Sequence, residues 1–172
     1  NLTDSIVIID SVNTLKPGSY TVLYNVIDAS GNFAEEVTRF VTVADTTGPV
    51  ITLTGSGTVM HEAGTDYTDL GATAFDIVDG NVSDSIEVTG TVDEAMPGEH
   101  QLVYSAKDSA SNAAILVSRL VKVVDSVQPQ ITLVGEAELV IEAGLDYIDP
   151  GAIASDSVDG ELTGTLEIQS DV

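Results

Sequence analysis

The chain has 172 residues, with 28 Asp and Glu against 5 Lys and Arg, and a formal net charge of −23. An acidic excess of this size repels phosphate backbones and anionic bilayers, so neither nucleic-acid binding nor membrane insertion is expected. Cysteine is absent, which removes disulfides, thiol catalysis and zinc–thiolate sites together and leaves the redox compartment open. The apolar content of 43%, rich in Val and Ile and without Trp, predicts a packed β core in place of an acidic disordered chain. No apolar run approaches the roughly 20 residues of a membrane-spanning helix.

In chain order, Ile6 to Ile8 reads as a short strand. Pro17-Gly18 marks a turn, and Val22, Tyr24 and Val26 alternate along the strand after it. Strands are then expected near 50–54, 58–62, 67–75, 84–92, 99–107 and 113–124. Turns fall at Gly64 to Asp66, Asp79-Gly80, Pro97-Gly98 and Ser109 to Ser111. Leu102, Tyr104 and Ala106 share one face of their strand, as do Ile86, Val88 and Val92 of theirs. No stretch has helical periodicity, and six or seven short strands in about 80 residues point to a two-sheet sandwich.

The sequence also repeats. Ile51-Thr-Leu-Thr-Gly55 returns as Ile131-Thr-Leu-Val-Gly135, an offset of 131 − 51 = 80. Glu62-Ala-Gly64, Asp66-Tyr67, Gly71-Ala72 and Asp76 to Gly80 recur at the same offset, as Glu142, Asp146, Gly151 and Asp156 onward. Pro17, Tyr24, Asp28, Asn32, Arg39, Asp45 and Pro49 match Pro97, Tyr104, Asp108, Asn112, Arg119, Asp125 and Pro129. The Pro-containing segments 45–49 and 125–129 are the natural junctions. The expected organisation is all-β: 1–49 as the second half of a repeat, 50–129 as a complete repeat, and 130–172 as the first half of another. A half sandwich cannot cover its own apolar face. The sequence therefore reads as an excerpt of a longer array, with association of the end halves between chains as the alternative. The strand at Ile6 to Ile8 has a surplus copy at Leu166 to Ile168, which counts against a clean exchange of halves.

The run Ile-Thr-Leu-x-Gly, then Glu-Ala-Gly-x-Asp-Tyr-x-Asp, then Gly-Ala-x-Ala-x-Asp-x-x-Asp-Gly, followed by Pro-Gly and Asp-x-x-x-Asn, resembles the bacterial immunoglobulin-like repeats of some pesticidal crystal proteins and many large surface proteins. These in turn resemble hyalin-type and cadherin-like repeats. The resemblance covers the whole chain and implies a sandwich fold, a tandem arrangement and an extracellular or cell-surface location. It implies no single activity.

Threading the strands alternately up and down gathers the acids at the junctions. Asp45, Asp76, Asp79 and Asp108, with Asn112 as a further candidate, converge near the first. Glu62 and Asp125 converge with Asp156 and Asp159 near the second. Oxygen-only clusters without His or Cys suit calcium, which takes about six to eight oxygen ligands. Calcium at the junctions would stiffen the array, as in cadherin-like repeats. The competing reading makes the same aspartates turn formers and strand-end caps.

Other chemistry is thinner. His61 and His100 do not recur, since Ile141 and Tyr20 take their places in register. No nucleophile-elbow pattern appears. Paired carboxylates abound, but few aromatics offer a stacking platform for a sugar. Arg39 and Arg119 are expected in structural ion pairs, and Asn81-Val-Ser83 matches a glycosylation sequon. The functional expectation is a spacer, stalk or fibre-forming segment of a large adhesin-like protein, non-catalytic, whose partners are neighbouring repeats. A glycan- or protein-binding accessory module of a secreted enzyme is the alternative.

Overall fold

A computed structural model describes residues 6–169. It is built of short strands: β1 (Val7–Asp10), β2 (Gly18–Asn25), β3 (Val37–Val43), β4 (Val50–Leu53), β5 (Thr58–Glu62), β6 (Ala72–Asp76), β7 (Gly80–Asn81), β8 (Glu87–Thr89), β9 (Gly98–Ser105), β10 (Val117–Val124), β11 (Gln130–Leu133), β12 (Ala152–Asp156) and β13 (Gly160–Glu161). Two single 3-10 turns, Ser83–Ser85 and Thr163–Thr165, are the helical elements among the described residues. No helix there is long and apolar enough to cross a membrane.

Among the described residues the strands form four sheets, ordered β1-β2-β3, β4-β6-β7, β5-β10-β9-β8 and β11-β12-β13. Pairing is antiparallel within β1-β2-β3, while β5 joins β10 in parallel, with Thr58 opposite Leu120 and Glu62 opposite Val124. Several elements recur 80 residues on: β6 and β12 begin at Ala72 and Ala152, and the two 3-10 turns at Ser83 and Thr163.

The chain divides into two compact units, one of residues 1–52, 72–87 and 104–117, the other of 53–71, 88–103 and 118–172. In the first, Val22, Ile51, Ala74, Tyr104 and Ala106 are buried. In the second, Ala63, Val121 and Val123 form a core against which Tyr67, Val92 and Val158 pack.

Strand alternation decides what is buried. Along β10, Arg119, Val121 and Val123 are buried while the residues between them are not, the period-two signature of a sheet with one covered face. Along β6 the same period turns Ala74 and Asp76 inward and leaves Thr73 and Phe75 outside. A carboxylate is thereby carried into the interior, where it must find donors.

Three expected strands differ. The one near 67–75 begins only at Ala72, because the preceding stretch is held by side chains. Tyr67 N–H donates to Glu94 at 2.8 Å, and Gly71 N–H donates to Asp69 at 2.9 Å. The strand near 84–92 shortens to β8 because Asn81 accepts from the Ser83 N–H and hydroxyl at 2.9 and 2.7 Å and starts a 3-10 turn. The strand near 113–124 begins at Val117, after an isolated bridge between Lys107 and Ala113. The surplus copy at Leu166 to Ile168 is not a strand.

Candidate metal centre

Among the described residues, two groups of aspartates stand together. In the first unit one carboxylate oxygen each from Asp45, Asp76, Asp79 and Asp108 lies within 4.8 Å of the others; Asp125, Asp156 and Asp159 meet the same condition in the second. Each group joins an aspartate before a junction proline to the two aspartates of an Asp-x-x-Asp-Gly turn.

The local sequence explains how these carboxylates are held. Asp76 ends β6 facing inward and accepts the N–H groups of Val78 and Asp79 at 2.7 and 3.0 Å through Oδ1. The backbone donors of Asp79 and Val78 outweigh burial and hold its pKa below the ordinary aspartate value. Asp156 repeats the arrangement with Val158 and Asp159 at 2.7 and 3.1 Å. Asp108 is buried, and both its oxygens face Asn112, accepting the backbone N–H and the side-chain amide at 2.7 Å each. Asp79 accepts the backbone N–H and hydroxyl of Ser109 at 2.7 and 2.9 Å.

Two oxygens are left over. Asp45 uses Oδ1 on Thr47, at 3.3 Å from its N–H, while its Oδ2 is buried without a hydrogen-bond partner. Asp156 likewise uses Oδ1, and its Oδ2 is buried and unpartnered. A buried carboxylate oxygen without a donor is costly. One such oxygen falls in each acidic group. That and the all-oxygen donor set fit a hard divalent cation.

The expected residues do not all converge. Glu62 stands outside the second group: its oxygens accept the backbone N–H and hydroxyl of Ser126 at 2.8 and 2.6 Å. Those two bonds, hydroxyl first, lower its pKa from the ordinary glutamate value. Asn112 serves as a donor that positions Asp108. Sequence reading missed Ser109 and Ser126, since neither recurs in register: Ala29 and Thr46 occupy their counterpart positions. Their only signal is adjacency to Asp108 and Asp125.

The histidines hold turns. His61 Nε2 lies 2.9 Å from Thr65 O, and His100 Nε2 3.2 Å from Met96 O. Tyr20, in register with His100, donates its hydroxyl to Lys16 O at 2.7 Å in the same way. Arg119 is buried, paired with Asp69, and donates to the carbonyls of Ser56, Thr54 and Gly71 at 3.1, 2.5 and 3.2 Å. Arg39 instead lies 5.5 Å from the ring centroid of Tyr24. Exposed Glu99 pairs with Lys122 at 2.7 Å.

Comparison with known proteins agrees with the all-β architecture. The family model of the bacterial surface protein Ig-like domain matches residues 1–43 and 51–123, and the chain belongs to that family. It is 28% identical over 176 aligned residues to pesticidal crystal protein Cry22Aa of Bacillus thuringiensis, covering 98% of this chain and 23% of that protein. It is 33% identical over 111 residues to an 81.3 kDa protein of Acholeplasma phage L2, covering 59% of this chain and 14% of that protein. The chain thus spans less than a quarter of either relative. Among solved structures, a lipoprotein of Bacteroides thetaiotaomicron matches with a TM-score of 0.40 and 20% identity, covering 60% of this chain and 53% of that one. A structure of Clostridium perfringens ZmpB with its M60 catalytic and CBM51 domains matches with a TM-score of 0.42 and 13% identity, covering 79% and 30%.

Proposed function

We propose that the chain is a non-catalytic spacer segment of a large extracellular bacterial surface protein, stiffened by calcium at the junctions near residues 45–49 and 125–129. On this reading 50–129 is a complete Ig-like repeat flanked by half-repeats 1–49 and 130–172. Asp45, Asp76, Asp79 and Asp108 would hold one ion, and Asp125, Asp156 and Asp159 another, with Glu62 bracing Ser126 beside the second. A bound divalent cation supplies positive charge where carboxylates crowd. The protein side of the work is positional: Val78, Asp79, Ser109 and Asn112 aim the carboxylates, and the junction aspartate ties the linker to the turn that follows.

The observation carrying this reading is the pair of buried, unpartnered oxygens on Asp45 and Asp156, one in each acidic group. Turn formation alone accounts for the Oδ1 bonds and leaves these atoms unexplained. Calorimetric melting and small-angle scattering, with calcium and then with chelator, test it. The expected result is a higher melting temperature and a longer maximum dimension with calcium. Identical melting and scattering in the two conditions would reduce the aspartates to turn residues.

A further inference from the structure

Val158 lies after the junction segment 125–129, yet the residues it packs against lie before it. It sits on the cluster of Ala63, Val121 and Val123, beside Tyr67 and Val92, and all six residues belong to one compact unit. Val121 is fully buried, Ala63 and Val123 are buried, and Val158 itself is half-buried.

Each side of this contact is held by its own hydrogen bonds. Before the junction, Ala63 N–H donates to Val124 O at 2.8 Å, which ties the end of β5 to the end of β10. Gly64 N–H donates to Glu94 O at 2.8 Å, and Tyr67 N–H donates to the Glu94 carboxylate at 2.8 Å. The loop 62–67 and the residues around Glu94 thereby form one seat. After the junction, Asp156 Oδ1 accepts the N–H groups of Val158 and Asp159, which fixes the turn that carries the valine. The two backbones come close: Ser157 O stands 3.9 Å from where a Cβ on Gly64 would lie. Gly64 takes a φ of +75° there, a conformation open to glycine at no steric cost.

The residue types of the contact recur along the chain. Val12, Val41 and Val43 stand 80 residues before Val92, Val121 and Val123, and Val78 stands 80 before Val158. Valine at every one of these positions keeps seat and plug at one size, and close packing is sensitive to size.

Units joined by a short linker move relative to one another unless an apolar contact holds them. We propose that Val158 is an apolar key that docks the segment after residues 125–129 onto the end of 50–129 and holds this junction without an ion. The inference rests on the repeat boundaries given under the proposed function and deepens the calcium reading. The turn that seats Val158 also carries Asp156 and Asp159, so the docked key presents both toward Asp125. Ion binding then adds to a junction already in place. Each repeat carries a key in its first half and a seat at its end, so copies join in one direction.

The chain has no cysteine, so Gln101→Cys and Ile153→Cys place one spin label on β9 and one on β12, both at exposed positions. Double electron–electron resonance of the labelled 172-residue chain in chelator reads the distance between them. A single narrow distance is expected. Val158→Ser should broaden it, and Val158→Ile should keep it narrow. Hydrogen exchange of the β11-β12 ladder is followed in each variant, and Val158→Ser should leave its protection unchanged. Loss of that protection would make Val158 a core residue of its own segment and overturn the inference. A distance as narrow in Val158→Ser as with Val158 in place would overturn it too. A distance that is broad in chelator and narrows with calcium would overturn the key and leave the calcium reading standing. One that is narrow in chelator, broadened by Val158→Ser and indifferent to calcium would do the reverse.

Discussion

Ser109 donates both its backbone N–H and its hydroxyl to the carboxylate of Asp79, thirty residues earlier in the chain. The contact ties the turn after β6 to the turn that follows β9, and it fixes one wall of the four-aspartate group. Asp108, next to Ser109, belongs to the same group and is itself clamped by Asn112. Side chains that never reach an ion therefore set where the candidate ligands point, the role that outer partners play at metal sites.

Ser109→Ala removes the hydroxyl bond and leaves the backbone bond in place. Calcium affinity of the first group should fall by about tenfold, the usual scale for losing an outer partner. Terbium luminescence or calorimetric titration reads this, and an unchanged affinity would count against Asp79 as a ligand.

Asp45→Asn separates the metal reading from the turn reading. Without calcium, neutralising an aspartate that crowds three others should leave the melting temperature unchanged or raise it, since like charges repel at short range. With calcium, the stabilisation shown by the wild type should be reduced. A turn residue alone would give one melting shift, identical in the two conditions.

Arg119 is 1% exposed and holds Asp69 and three carbonyls at once. Arg119→Met should destabilise the second unit by about 3–5 kcal/mol, the cost of leaving a buried pair half occupied. Arg119→Lys should recover little, because an ammonium cannot match the planar fork. Urea unfolding of both variants against wild type measures the difference.

A Cβ at Gly48 would come 2.1 Å from the carbonyl oxygen of Ala113, whereas one at Gly98 would meet nothing closer than 3.9 Å. Gly48→Ala must therefore shift backbone and should cost about 1–3 kcal/mol. Gly98→Ala should change stability far less. Thermal unfolding of the pair separates close approach from a general effect of replacing glycine.

Asp28 has its pKa lowered, chiefly by the Asn32 side-chain amide and then by the Asn32 backbone N–H. A lowered folded-state pKa stabilises the loop fully above the ordinary carboxylate range, and the benefit is lost as pH falls through the folded value. Asn32→Ala should raise the Asp28 pKa and move that loss to higher pH. NMR titration of the Asp28 carboxyl resonance follows it directly.

Much of the strand plan was legible in the sequence because it depends on a local signal. Alternation of Leu102, Tyr104 and Ala106 marks one face of their strand, and all three are buried. The aspartates of both groups stood out by their recurrence, and strand direction alone was enough to bring most of them together. Two of the three late starts share one cause. Residues 67–71 and 81–85 look strand-compatible, but Asp69 and Asn81 capture nearby backbone N–H groups and divert the chain from a ladder.

By itself, the sequence determined an acidic, cysteine-free, all-β chain with its aspartates in register; its motifs added the resemblance to Ig-like repeats. The first properties follow from composition and from periods of two and eighty, which need no knowledge of contacts. Only the tertiary structure decided that Glu62 turns to Ser126 instead of the second acidic group, that Ser109 holds Asp79, and that one oxygen each of Asp45 and Asp156 is buried without a donor. The reason is geometric. Hydrogen bonds act over about 3 Å, so which donor reaches which carboxylate depends on how distant turns are brought together, and no spacing along the chain encodes that.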